Sequence, residues 1–272
     1  MQSLRTDRIG EKRRNNAGDL MKIISYARAD NMVVEFQDEH KYRVKTSYSN
    51  FVEGNVKNPY HPTLYNRGYF GVGPYRANIN KRSTKAYDAW RQMFFRCYGE
   101  GHEPAYDGCE VCQEWYDYQT FAKWFEEHYW EDGEHTMQID KDWLAPSNKI
   151  YGPDTCEIVP SIINTCLLRQ RKTKYHNNEL NIDYTASGKY SPILSKFGRP
   201  AYLGTFETID EAVSAYKREK VLYVRQLADK YKDHISSKLY NAMMNYDKRL
   251  EEEFSKHEQL RNLSPSFDGQ SS

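Results

Sequence analysis

The stretch Gly188-Lys189-Tyr190-Ser191-Pro192-Ile193-Leu194, followed by Arg199-Pro200-Ala201-Tyr202-Leu203-Gly204-Thr205-Phe206-Glu207-Thr208 and Asp210-Glu211-Ala212, decides the fold. β-prone residues on both sides of Phe197-Gly198 read as two strands joined by a tight turn. Thr208 and Glu211 have the spacing of a capping box, in which the hydroxyl caps the first turn and the carboxylate reaches back. Ala212, Ala215, Tyr216, Tyr223 and Leu227 carry the helix onward, and its alanines allow close packing on a thin sheet. A further amphipathic stretch follows, with Leu239, Met243, Tyr246, Leu250 and Phe254. A sheet followed by the helix that covers it makes the chain α+β.

Upstream lies Met137-Gln138-Ile139-Asp140-Lys141-Asp142-Trp143-Leu144, then Ser147-Asn148-Lys149, Tyr151-Gly152-Pro153, Cys156 and Asn164. Carboxylates, amides and a thiol crowd together here among turn signals, as in a compact site. A helical segment leads into it. Tyr87, Trp90, Phe94 and Cys97 share one face of a helix that ends near Gly99, and Phe121, Trp124, Phe125, His128 and Tyr129 mark a second. Between them stands Cys109-Glu110-Val111-Cys112. Thiolates at this spacing would meet one structural Zn²⁺ at about 2.3 Å, with Cys97 and Cys156 completing a tetrahedron. The alternative use is as small buried thiols. Five cysteines in a chain whose polar N-terminus lacks a secretion signal argue against disulfide staples.

The N-terminal part reads as β. Lys22-Ile23-Ile24-Ser25-Tyr26 and Met32-Val33-Val34-Glu35-Phe36 are short β-prone runs, and Tyr42, Val44, Thr46 and Tyr48 alternate with Arg43, Lys45 and Ser47. A small barrel-like module is expected. Gly68-Tyr69-Phe70-Gly71-Val72-Gly73 has the glycines of a phosphate loop but no helix with a Lys-Ser/Thr start, so the glycines serve to turn the backbone. The net charge of +1 hides an uneven distribution. Residues 1–85 carry 16 Lys and Arg against 8 Asp and Glu, residues 86–160 carry 5 against 16, and residues 161–238 carry 14 against 8. Basic parts that could meet phosphate thus flank an acidic centre that would bind cations or simply be solvated. No apolar run approaches the roughly 20 residues of a membrane helix, and the expected location is the cytoplasm.

The residues from Gly188 to Tyr216, above all Tyr202-Leu203-Gly204-Thr205-Phe206 with Glu211-Ala212, resemble the APETALA/ethylene-response-factor DNA-binding domain over about fifty residues. The resemblance implies a three-stranded antiparallel sheet on one helix, lying in the major groove of double-stranded DNA. By position it makes Lys189, Tyr190, Lys196, Arg199 and Tyr202 contact residues, with Tyr190 where many members have Trp. The expected first strand, near Asn181-Ile182-Asp183-Tyr184, lacks the usual arginines. The basic run Arg169, Arg171, Lys172 and Lys174 would track the phosphate backbone just before it.

Residues 86–230 as a whole resemble phage-encoded homing-endonuclease-like proteins, in which an HNH-like segment precedes such a module. Tyr87-x-x-Trp90, Arg96-Cys97-Tyr98, Cys109-x-Val111-Cys112-x-Glu114-Trp115, Ile139-Asp140-Lys141-Asp142, Asn148-Lys149-x-Tyr151, Cys156 and Asn164 carry the likeness. It implies metal-assisted hydrolysis of a DNA phosphodiester, with Asp140 and Asp142 holding Mg²⁺ or Mn²⁺ and Asn148 and Asn164 in support. Asp140 stands where that family carries its catalytic histidine, and His135 is off pattern by several residues. The same carboxylates and amides suit turns and helix caps. The alternatives are therefore a DNA-binding or regulatory protein without catalysis, and a module whose acidic middle captures a basic host protein. The expected layout is a disordered basic arm (1–17), a small β module (18–80), an HNH-like central module braced by zinc (81–168), an APETALA-like module with a C-terminal helix (169–256) and a disordered tail (257–272).

Overall fold

The computed structural model describes residues 8–145, 147–167 and 182–252 of a mixed α+β protein with several small sheets. Arg169, Arg171, Lys172 and Lys174 lie outside the described residues. The described chain forms two compact units. The first runs to Glu127 and includes Lys149–Gly152; the second comprises His128–Asn148 and the residues from Pro153 onward.

In the first unit, β1 (Lys12–Arg14), β2 (Leu20–Arg28), β3 (Asn31–Phe36) and β4 (Arg43–Thr46) form an antiparallel sheet in sequence order. The basic arm is thus shorter than its composition suggests, because Lys12–Arg14 pair with β2. Alternation sends Met21, Ile23, Met32, Val34 and Phe36 to one face, where Phe51 of α1 (Tyr48–Glu53) and Val56 bury them. Ser47 caps α1, and Gly54 ends it at φ 73°, a left-handed position that costs glycine least. The expected barrel does not form: β1 and β4 are the two edges of an open sheet. Four short strands are too few to close, and α1 already shields the apolar face.

The hairpin β5 (Asn78–Ile79) and β6 (Arg82–Ser83) leads to α2 (Lys85–Tyr98), β7 (Glu110–Val111) and α3 (Tyr118–His128). Aromatic rings join the two helices. Trp90 lies 5.0 Å from Phe94 and 5.4 Å from Tyr118, and its indole N–H donates to the Trp115 carbonyl at 2.7 Å. The glycine-rich loop packs on this core. A Cβ on Gly68 would come 2.8 Å from the Trp90 ring, and one on Gly71 would overlap the Asp117 carboxylate. The Gln119 amide holds the loop by accepting from Tyr75 N–H (2.9 Å) and donating to the carbonyls of Tyr75 (3.0 Å) and Phe70 (3.2 Å).

The second unit begins with β8 (Met137–Asp140). The chain then forms β9 (Ile150–Tyr151), parallel to β7 in the first unit, and returns as β10 (Glu157–Pro160), antiparallel to β8, followed by α4 (Ser161–Asn164). Beyond residue 181, β11 (Ile182–Tyr184), β12 (Tyr190–Lys196) and β13 (Arg199–Tyr202) make a three-stranded antiparallel sheet. Phe197 (φ 50°) and Gly198 (φ 75°) form its tight turn. The sheet packs on α5 (Ile209–Tyr231), whose capping box between Thr208 and Glu211 is complete, and α6 (Ser237–Met244) follows. One core holds this unit together: Trp143, Val159 and Ile163 meet Leu194, Val224, Leu227, Leu239 and Tyr246. Among the described residues no helix is long and apolar enough to cross a membrane.

Candidate functional site

Asp140 ends β8 with its side chain 3% exposed, and Oδ1 accepts the backbone N–H groups of Asp142 (3.1 Å) and Trp143 (2.8 Å). A short carboxylate that takes two N–H groups just ahead of it fixes a turn. The turn aims Trp143 into the core, where its indole N–H donates to the Ile163 carbonyl at 3.1 Å. Burial pushes the Asp140 carboxyl up to about 6; the neighbouring Asp142 charge adds to this, and the two N–H donors oppose it. Asp142 has an internal counter-ion. The ammonium of Lys141, itself 5% exposed, lies 2.5 Å from Asp142 Oδ1 and donates to the Asn148 carbonyl at 3.1 Å. Asn164 donates its amide N–H to Gln138 Oε1 at 2.6 Å, tying α4 to β8. Gln138 lies two residues before Asp140, about 7 Å along the strand. The four residues therefore sit in one unit, and the side chains of Asp140, Asp142 and Asn164 serve a turn, an ion pair and an amide contact respectively.

None of the five cysteines is in a disulfide. Cys97 lies on α2, and Cys109 and Cys112 flank β7, all in the first unit, whereas Cys156 precedes β10 in the second. Burial pushes the Cys112 thiol up. Among the described residues, the group of three His, Cys, Asp or Glu donors within 4.8 Å of one another is Asp132, Glu134 and His135. This group is a hydrogen-bonded turn. Asp132 accepts from the backbone N–H groups of Glu134 (3.0 Å) and His135 (2.8 Å), from the Tyr231 hydroxyl (2.9 Å), and pairs with His135 Nδ1 (2.6 Å). Burial raises the Asp132 carboxyl, but these donors outweigh it and leave it well below the usual carboxylate range.

Register decides what the three-stranded sheet can offer. Paired residues share a face, so Ile182, Tyr184, Tyr190, Pro192, Leu194, Lys196, Arg199 and Ala201 lie on the α5 side. The open face carries Asp183, Ser191, Ile193, Ser195, Pro200 and Tyr202. Of the contact residues that the resemblance implies, only Tyr202 stands on that face, 73% exposed. Lys196 pairs with Glu219 of α5 at 2.7 Å, and Lys189, in the turn before β12, pairs with Glu207. Tyr190 stacks edge-on with Tyr184 at 5.2 Å, and Arg199 is exposed at the rim.

The four-stranded sheet holds residues the sequence reading did not single out. Lys12, Arg14, Lys22, Arg43 and Lys45 fall on its face away from α1, because each pairs with or alternates against a buried position. The alternation of Arg43 and Lys45 against Val44 was the available signal. Placing Lys12 and Lys22 beside them needed the strand register. Comparison with protein-family models, curated proteins and solved structures finds no match to this chain.

Proposed function

We propose that this protein binds double-stranded DNA in the cytoplasm of the cell that carries it, and does so without cleaving the duplex. The observation that carries the reading is the sheet of the second unit, a three-stranded antiparallel layer backed by one capped helix, with Ser195, Pro200 and Tyr202 exposed on its other face among the described residues. That face bears Ser195, the exposed ring of Tyr202, Asp183, and Ser191, whose hydroxyl donates to the Gly204 carbonyl at 3.2 Å and keeps its acceptor side. Hydroxyls hydrogen-bond base edges, a carboxylate accepts from cytosine N4, and an aromatic or apolar group meets the thymine methyl. β-Sheet readers enter a groove in this way. The basic run Arg169, Arg171, Lys172 and Lys174, which precedes the sheet in sequence, would add phosphate contacts.

The non-catalytic form of the reading is favoured by the central acidic segment. A metal-dependent nuclease needs carboxylates open to an ion and a base for water. Here Asp140 is buried with an oxygen committed to its own turn, and a tethered ammonium already neutralises Asp142. The Asp140 carboxylate instead fixes the turn that carries Trp143 into the core. Supercoiled plasmid incubated with Mg²⁺ or Mn²⁺ tests this together with a gel-shift assay. The expected result is a retarded duplex and an intact plasmid. Plasmid cleavage that disappears in Asp140→Ala would restore the HNH-type nuclease, and an absent gel shift would remove the DNA reading altogether.

A further inference from the structure

We infer that the open face of the four-stranded sheet is a second, sequence-independent grip on the sugar-phosphate backbone of duplex DNA. The inference rests on the DNA-binding reading above and adds to it a surface in the other unit. Base contacts specify, whereas phosphate contacts position and hold. The three-stranded sheet has a base-reading face without a cation, and Lys189 and Lys196 are spent on Glu207 and Glu219.

On the four-stranded sheet the arrangement is the reverse. Lys12 lies opposite Lys22, Lys22 opposite Glu35, and Glu35 opposite Arg43, a transverse row across all four strands. With strands about 4.8 Å apart, the row is roughly 14 Å wide, and Arg14 and Lys45 extend it by about 7 Å along their strands. Arg43 pairs with Glu35 at 2.8 Å. Among the described residues, Lys12, Arg14, Lys22 and Lys45 have no carboxylate partner, and Arg14 donates only to the Gly18 carbonyl. Like charges directly opposite each other weaken a sheet, so the Lys12–Lys22 pair opposes folding, and the carboxylate on the other side of Lys22, Glu35, is itself paired with Arg43. Charged edge strands also guard against strand-to-strand association. That accounts for β1 and β4, but not for Lys22 on an inner strand. A face whose charged side chains are these long cations and Glu35, with Asn31 at the far end of β3, fits a row of phosphates rather than base edges.

The test uses the full chain and a labelled duplex of arbitrary sequence, with affinity read by fluorescence anisotropy across a salt series. Lys12→Ala, Arg14→Ala, Lys22→Ala and Lys45→Ala combined should lower the slope of log K against log salt by roughly 3 to 4, about 0.9 for each phosphate no longer neutralised, and weaken binding at least about tenfold. Acetylation footprinting of the unaltered protein needs no variant: duplex should protect Lys12, Lys22 and Lys45, while Lys81 in the β5–β6 turn stays reactive. A wild-type slope in the four-site variant, or unprotected lysines in a protein that does bind duplex, overturns this grip and leaves the DNA reading standing. A protein that ignores duplex but binds anionic phospholipid vesicles overturns both.

Discussion

Asp140 shows how one residue's chemistry and its setting can point in different directions. Its folded pKa of about 6 lies above the ordinary 3.8, so the folded chain holds this proton more tightly than the unfolded chain does. The resulting stability is complete below about pH 4 and is lost as pH rises through about 6. Asp140→Asn keeps the Oδ1 acceptor for the turn and removes the charge. It should therefore match wild type near pH 4 and exceed it by roughly 2–3 kcal/mol at pH 7.5, read from thermal or denaturant unfolding. Parallel pH profiles for the two proteins would mean that the carboxyl is not strained by burial. Residue type at 140 is legible in the sequence, but burial is not, because it depends on Trp143 reaching a core built largely by α5 and α6. The pairing of Lys141 with Asp142 is equally hidden, since sequence neighbours seldom face each other. Gly71 is the converse case, where the sequence reading of a backbone turn agrees with the geometry. Its φ of 70° and the Asp117 carboxylate beside it leave no room for a methyl. Gly71→Ala should cost at least about 1 kcal/mol, and an unchanged denaturation midpoint would show that the loop can move away.

Among elements, those with local signatures are the ones the sequence announces. The Thr208–Glu211 box, the Phe197-Gly198 turn and the helical spacing of Trp90 and Phe94 are set by neighbours three or four residues away, and each appears where the pattern puts it. Faces of strands are different. A shift of one residue in register exchanges the two sides of a strand, and register is fixed by pairing partners far along the chain. Lys196 and Arg199 therefore look like groove contacts in sequence but lie on the α5 side, while Ser191, Ser195 and Pro200 share the open face with Tyr202. The barrel expectation fails for a related reason: strand propensity reveals neither how many strands exist nor that α1 covers their apolar side. Replacing Lys189 and Lys196 by Ala together should leave the salt dependence of DNA binding unchanged, because their partners are Glu207 and Glu219. A slope lower by about one per residue would return both to the interface.

For the whole molecule, the net charge of +1 is a poor guide to partners, because the cations and carboxylates are segregated. The acidic stretch 86–160 is shared between the units: its helices α2 and α3 belong almost wholly to the first, and its β8–β10 ladder to the second. Its carboxylates are in part consumed internally, as with Asp132, Asp140 and Asp142. Several cations of the first unit's sheet are not. Phosphate binding by such a surface releases counterions, which makes salt the most direct probe. Anisotropy of a labelled duplex titrated with the intact chain, repeated from about 50 to 200 mM salt, should show log K falling linearly with log salt and binding tight at the low end. A flat line, or no binding of duplex in dilute buffer, would contradict the account at its centre.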